Sequence, residues 1–135
     1  MCIRDRSDIE HWQPGSHVAP KVIPFGGGIP QRSRELLSII SHNDFEALEN
    51  LFATQGETLA CVMIEPIIGN AGSVAASQEW LQRLRDLCTQ HGTVLIIDEV
   101  KSGFRVAKGG AQELYGIHAD PVSYTHLTLP TICSV

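Results

Sequence analysis

The sequence predicts an α/β fold, a mostly parallel sheet with flanking helices. Two short apolar runs, LACVMI at 59–64 and TVLII at 93–97, each lead into an acidic residue, Glu65 and Asp98. Between them, residues 78–91 repeat Trp80, Leu81, Leu84, Leu87 and Cys88 at helical spacing. A continuous apolar run is how a parallel strand buried on both faces reads. A strand–helix–strand unit crosses over right-handed and leaves its strands parallel. Both strand ends then lie on one edge, with 65–70 and 98–100 beside a shared crevice. Open α/β sheets take their ligands at such an edge.

Each element follows in order. Residues 7–31 read as loop, because Pro14, Gly15, Pro20, Pro24, Gly26, Gly27, Gly28 and Pro30 break any regular structure. The triple glycine is a flexible connector, since no phosphate-loop spacing surrounds it. Residues 43–55 predict a helix, with Asn43 and Glu46 as a capping box and Phe45, Leu48, Leu51 and Phe52 as its apolar stripe. Gly56 stops it. The strand 59–64 follows and is broken by Pro66 and Gly69. The helix 78–91 ends at Gly92, and the strand 93–97 comes next. A last helix spans about 110–114, with Tyr115 and Gly116 at its end.

At 135 residues the chain is one small domain or a piece of a larger one, 43% hydrophobic with net charge −5. A mild acidic balance argues against nucleic acid or an anionic membrane as partner. No apolar run approaches a spanning helix, no secretory signal is visible, and a cytoplasmic location is expected. Cys61 and Cys88 read as small buried hydrophobes, with no metal-binding spacing, and no metal is expected. The six histidines are scattered and read as structural or exposed.

The segment TVLIIDEVKSGFRV, 93–106, is the richest in chemistry. In an extended strand Asp98 and Val100 share a face and Glu99 points away. One carboxylate and one branched apolar side chain can then address the edge and face of one planar ring. The Ser102-Gly103 turn lets the backbone leave the sheet, and Arg105 is expected to fix that loop by ion pairing.

The segment resembles the D-E-V-x-[ST]-G-F-R stretch of class III aminotransferases, which use pyridoxal 5'-phosphate. GIP at 28–30, ND-x-x-AL at 43–48, EP-x-x-GN-x-G at 65–72 and GGAQ-x-x-YG at 109–116 match the family in order. The resemblance implies a fragment of the large, cofactor-binding domain of a fold-type I transferase, with Asp98, Val100, Asn70 and Glu65 as cofactor-binding residues. Asp98 would hold the proton on the cofactor's pyridine nitrogen, because an opposite charge in a water-poor site favours the protonated form. Glu65 either lines the site or holds the Pro66 turn. Asn70 and the GFR ending are similar to the glutamate-1-semialdehyde 2,1-aminomutase branch, whereas Lys101 replaces the Met or Gln often found there. The implied activity moves an amino group between a small amino donor and a carbonyl acceptor, or within one molecule as an aminomutase, in a homodimer. The family's Schiff-base lysine is expected beyond Asp120. Lys101 and Lys108 do not replace it, so no catalytic residue is assigned and the chain alone is expected to be inactive.

Residues 1–6, MCIRDR, and 122–135, VSYTHLTLPTICSV, resemble translated sequencing-adapter read-through, and charged residues cease after Asp120. The expected division is therefore 1–6 and 122–135 as foreign ends around a partial cofactor domain at 7–121. Two rival readings remain. The strand ending in Asp-Glu also resembles the Walker B segment of a P-loop hydrolase, which would need a phosphate loop. The chain could also be a remnant that binds nothing.

Overall fold

The computed structural model describes residues 15–16, 19–22 and 30–123. In chain order the elements are β1 (Gly15–Ser16), β2 (Ala19–Pro20), α1 (Gln31–Glu35), α2 (Phe45–Gln55), β3 (Cys61–Ile64), β4 (Ile67–Ile68), β5 (Val74–Ala75), α3 (Gln78–His91), β6 (Val94–Asp98), α4 (Gly110–Tyr115) and β7 (Val122–Ser123). The sheet that matters has the order β3-β6-β7, and both pairings are parallel. Val62 pairs with Leu95 and Ile64 with Ile97. The short pairs β1–β2 and β4–β5 are antiparallel. The α/β architecture with a parallel sheet is thus present.

One face of the sheet makes the core. Ile64, Leu95 and Ile97 pack against Leu48 and Phe52 of α2, Trp80, Leu81, Leu84, Leu87 and Cys88 of α3, and Ile117 after α4. Fully burying side chains of this size contributes about 1.5–3 kcal/mol each, before the entropy of ordering them. The other face holds Cys61, Met63 and Val94, which are exposed.

The helix α3 occupies the span its periodicity predicts. Ser77 caps it by accepting from the Trp80 N–H at 3.2 Å, and Gly92 ends it at φ 68°. A left-handed residue is what a helix C-terminus commonly needs, and glycine adopts it without strain.

Other boundaries differ from expectation. The helix predicted at 43–55 begins at Phe45, because Asp44 rather than Asn43 is its N-cap and accepts from the Ala47 N–H at 2.9 Å. Asn43 lies outside the helix at φ 64°. Of the stripe, Leu48 and Phe52 are buried, but Phe45 is 45% exposed. The end of α2 is as expected, with Gly56 as its C-cap, though Gly56 is right-handed at φ −50° and a short 3₁₀ turn, Gly56–Thr58, follows. Glycine suits it because a Cβ would run into the His91 ring. The strand expected at 59–64 is Cys61–Ile64, and that expected at 93–97 is Val94–Asp98. Cys88 is buried as predicted, whereas Cys61 is exposed because it faces the open side of the sheet. Residues 23–29, with the triple glycine, and both chain ends, 1–14 and 124–135, lie outside the described residues.

Candidate functional site

The candidate site is the edge where β3 and β6 end. Asp98 is the last residue of β6 and is partly buried. Its Oδ1 accepts the N–H of Val100 at 2.9 Å, which fixes the carboxylate and turns the chain out of the strand. The strand therefore stops before Val100, so the alternation argument does not extend to that residue. Val100 is beside Asp98 through this local turn, and it is partly buried.

Glu99 is the residue sequence reasoning undervalued. It is 3% exposed and points into the protein. Its Oε2 accepts from the Ser102 hydroxyl at 2.5 Å and from the Ala111 N–H at 3.0 Å, and its Oε1 accepts from the Gln112 N–H at 3.0 Å. These amides open α4, whose own N-cap, Gly109, supplies no side-chain acceptor. A carboxylate satisfies the free amides at a helix start and is favoured by the dipole there. A Cβ on Gly110 would lie 2.7 Å from both Glu99 carboxylate oxygens, and Gly110 has φ 73°. The cue in the sequence was a helix start, GGAQ, without a capping residue of its own.

In the rest of the loop Phe104 takes the left-handed conformation, at φ 58°. Arg105 fixes the loop by donating to the carbonyls of Val100 at 3.3 Å and Lys101 at 3.1 Å, and among the described residues it forms no ion pair.

At the end of β3, Glu65 Oε2 accepts the Gly69 N–H at 3.1 Å and so holds the turn after Pro66. The pairing of Ile64 with Ile97 places Glu65 beside Asp98 in the next step of the register. Asn70 is exposed on the connection between β4 and β5. That connection touches the Asp98 loop, since a Cβ on Gly69 would meet Lys101 Cβ and Cγ at 2.8 Å. Asp98, Val100, Glu65 and Asn70 are therefore gathered at one edge, as the parallel strands require. Lys101 and Lys108 are exposed in the loop after β6.

Among the described residues, burial is the main cause of a shifted pKa at His42 and at Cys88. His42 lies tilted against Trp80, with ring centroids 5.5 Å apart and the planes at 52°. Burial lowers its pKa, with Glu65 acting in the opposite direction, and both ring nitrogens are buried without a hydrogen-bond partner among the described residues. Burial also pushes the Cys88 thiol up to about 11, which makes it a poor nucleophile. A cavity of about 480 Å³ lined by Arg85, Thr93, His118 and Asp120 lies at the opposite end of β6 and holds none of the predicted site residues.

The family model described as "Aminotransferase class-III" matches residues 15–125. A glutamate-1-semialdehyde 2,1-aminomutase of Sulfurihydrogenibium azorense is 47% identical over 123 residues, covering 91% of this chain and 29% of the relative. The Persephonella marina protein of the same name is 49% identical over 106 residues, covering 78% of this chain and 25% of the relative. An omega-transaminase structure from Sphaerobacter thermophilus superposes with a TM-score of 0.75 at 34% identity, covering 82% of this chain and 25% of that one. A structure titled "Transaminase with PLP bound" does so at 0.68 and 34%, covering 79% and 26%. The chain thus spans between a quarter and a third of the length of these relatives.

Proposed function

We propose a function on one premise: the chain belongs to the class III aminotransferase family. The whole protein is an enzyme that uses pyridoxal phosphate to move an amino group between a small amino compound and a carbonyl compound. Its relatives' names and Asn70 favour the intramolecular variant, an aminomutase acting on glutamate 1-semialdehyde. The observation that carries the reading is Asp98, a fixed carboxylate at the end of a parallel strand with Val100 turned beside it. Pyridoxal phosphate, when bound, supplies an electron sink for bond cleavage next to the amino group.

The residues fit that group. Oδ1 of Asp98 is held by its own turn, and among the described residues Oδ2 accepts no hydrogen bond. An oriented carboxylate with a spare oxygen holds a proton on a ring nitrogen and keeps it there. Val100 offers an apolar face to the ring, while Glu65 and Asn70 line the neighbouring edge. Glu99 is not available for this work, because three donors already occupy its carboxylate. The same occupancy disfavours a Walker B reading, in which that acid would serve a magnesium ion and water.

The domain portion is 7–121, with the ends 1–6 and 122–135 foreign to the parent protein. The pairing of β7 with β6 uses main-chain groups, which any sequence supplies. Sequencing the parent gene past codon 121 checks this; a continuation through VSYTHLTLPTICSV refutes it. The parent is a cytoplasmic homodimer, its Schiff-base lysine lies beyond Asp120, and this chain alone is inactive. Among the described residues no helix is long and apolar enough to cross a membrane.

The direct experiment is Asp98→Asn in the full-length protein. A neutral amide does not hold the ring proton, so turnover falls by about a hundredfold or more, the scale of one lost preorganised electrostatic contact. Cofactor binding is partly retained, and Asp98→Glu is milder. An Asn variant turning over at the wild-type rate would remove Asp98 from the site.

A further inference from the structure

The loop that carries Asp98 and the hairpin that carries Asn70 meet where Gly69 packs on Lys101. Gly69 is not among the glycines with positive φ, so its backbone conformation does not demand glycine. Space does: a Cβ there would lie 2.8 Å from Lys101 Cβ and Cγ and 3.4 Å from Cδ. The lysine stem therefore lies flat against the hairpin backbone. Both sides of the contact are anchored. Gly69 N–H is held by Glu65 Oε2, at the end of β3. The Lys101 carbonyl is held by Arg105, whose same nitrogen also binds the Val100 carbonyl. Val100 in turn donates its N–H to Asp98. A continuous chain of contacts thus runs from Glu65 through Gly69 and Lys101 to Val100 and Asp98. The four methylenes of lysine pack as an apolar stem while its charged head stays in water.

We infer that Lys101 is a positioning residue: its stem, seated on Gly69, sets where the hairpin bearing Asn70 stands relative to the turn bearing Asp98 and Val100. The inference rests on the proposed cofactor site and adds to it a residue that touches neither cofactor nor substrate. It assigns the work to the methylenes and none to the ammonium. Small displacements of positioning groups lower rate and affinity out of proportion to the contact removed.

The test uses the full-length enzyme and reads cofactor dissociation by equilibrium dialysis and the visible absorption of the bound cofactor, beside kcat and KM. Lys101→Met keeps a stem without the charge and retains the wild-type dissociation constant and absorption. Lys101→Gly removes the stem and weakens cofactor binding by about tenfold, with a shifted absorption, as expected for displaced groups. Gly69→Ala does the same by forcing the two segments apart. The double variant G69A/K101G gives the new methyl its space and recovers part of the loss. A Met variant as impaired as the Gly variant would assign the role to the charge and overturn the inference. So would a double variant no better than Gly69→Ala. Should Lys101→Gly fail to fold, Lys101→Ala, which keeps only the first carbon of the stem, takes its place: cofactor binding weaker than in Lys101→Met is expected, and a wild-type dissociation constant would overturn the inference. Asp98→Asn separates the two levels: if it leaves cofactor and turnover untouched, the site reading fails. If it is damaging while Lys101→Gly behaves as wild type, only the role of Lys101 fails.

Discussion

Asp98 and Glu99 are chemically near-identical neighbours with opposite fates, decided by which way each points at the end of β6. The place of Asp98 at the end of β6 was legible because a short apolar run leading into an acid reads as the end of a strand. Glu99 was not, because two of its three donors are amides of α4, more than ten residues on. Glu99→Ala would leave the Ser102 hydroxyl and the Ala111 and Gln112 amides without their acceptor. Hydrogen bonds to a charged group are worth about 1.5–3 kcal/mol each, and their losses are not additive, so about 3 kcal/mol or more is expected in urea unfolding. Glu99→Gln, which keeps one acceptor, costs less. His42 gives a second expectation at this scale. Its folded pKa lies below the ordinary 6.5, so the unfolded chain binds a proton more readily. Stability is then lost as pH falls through the unfolded value, and it is fully present above it. His42→Phe keeps a ring against Trp80 and removes the titration. Unfolding titrations from neutral pH to below 6.5 should show a shallower acid loss in the variant; identical slopes would exonerate His42.

At the scale of elements, periodicity located α3 fully because its caps, Ser77 and Gly92, are local. The start of α2 was misplaced because Asn43 and Asp44 are both competent caps, and the choice was made by tertiary contacts. Asn43 Nδ2 donates to the Ala75 carbonyl at 3.0 Å and its Oδ1 accepts the Ser77 N–H at 2.8 Å. It thereby staples the end of the β4–β5 hairpin to the N-cap of α3, and a left-handed backbone aims it there. Asparagine tolerates that conformation better than most residues. The hairpin itself was not foreseen, since its strands have only two residues each and show no usable alternation. These roles rank two substitutions. Asp44→Ala removes one cap bond and costs about 1 kcal/mol. Asn43→Ala removes two bonds and leaves a Cβ residue in the left-handed region, about 2–3 kcal/mol in all. Thermal unfolding of both variants checks the order; equal midpoints would mean the staple contributes nothing.

At the scale of the whole chain, one face of the sheet is packed and the other is open. Leu95 and Ile97 point into the core, whereas Cys61, Met63 and Val94 stand on the opposite side, with Met63 59% exposed. Apolar runs such as LACVMI and TVLII suggested strands covered on both faces, and only one covering layer lies among the described residues. The relatives are more than three times as long as the matched share, so the remaining chain of the parent is the natural source of the second layer. The two described cysteines report on this, one from each side. Cys88 is 0% exposed and its thiol is raised to about 11, so a maleimide should leave it unmodified in any folded form. Cys61 is exposed here and should react readily in this chain. In the full-length protein the same cysteine should be protected, because burying the apolar face that carries it is favourable in proportion to the area removed from water. Peptide mapping after brief labelling distinguishes the sites. If Cys61 labelled equally fast in the full-length protein, the open face would be a true surface of that protein, and the sheet would be covered on one side alone.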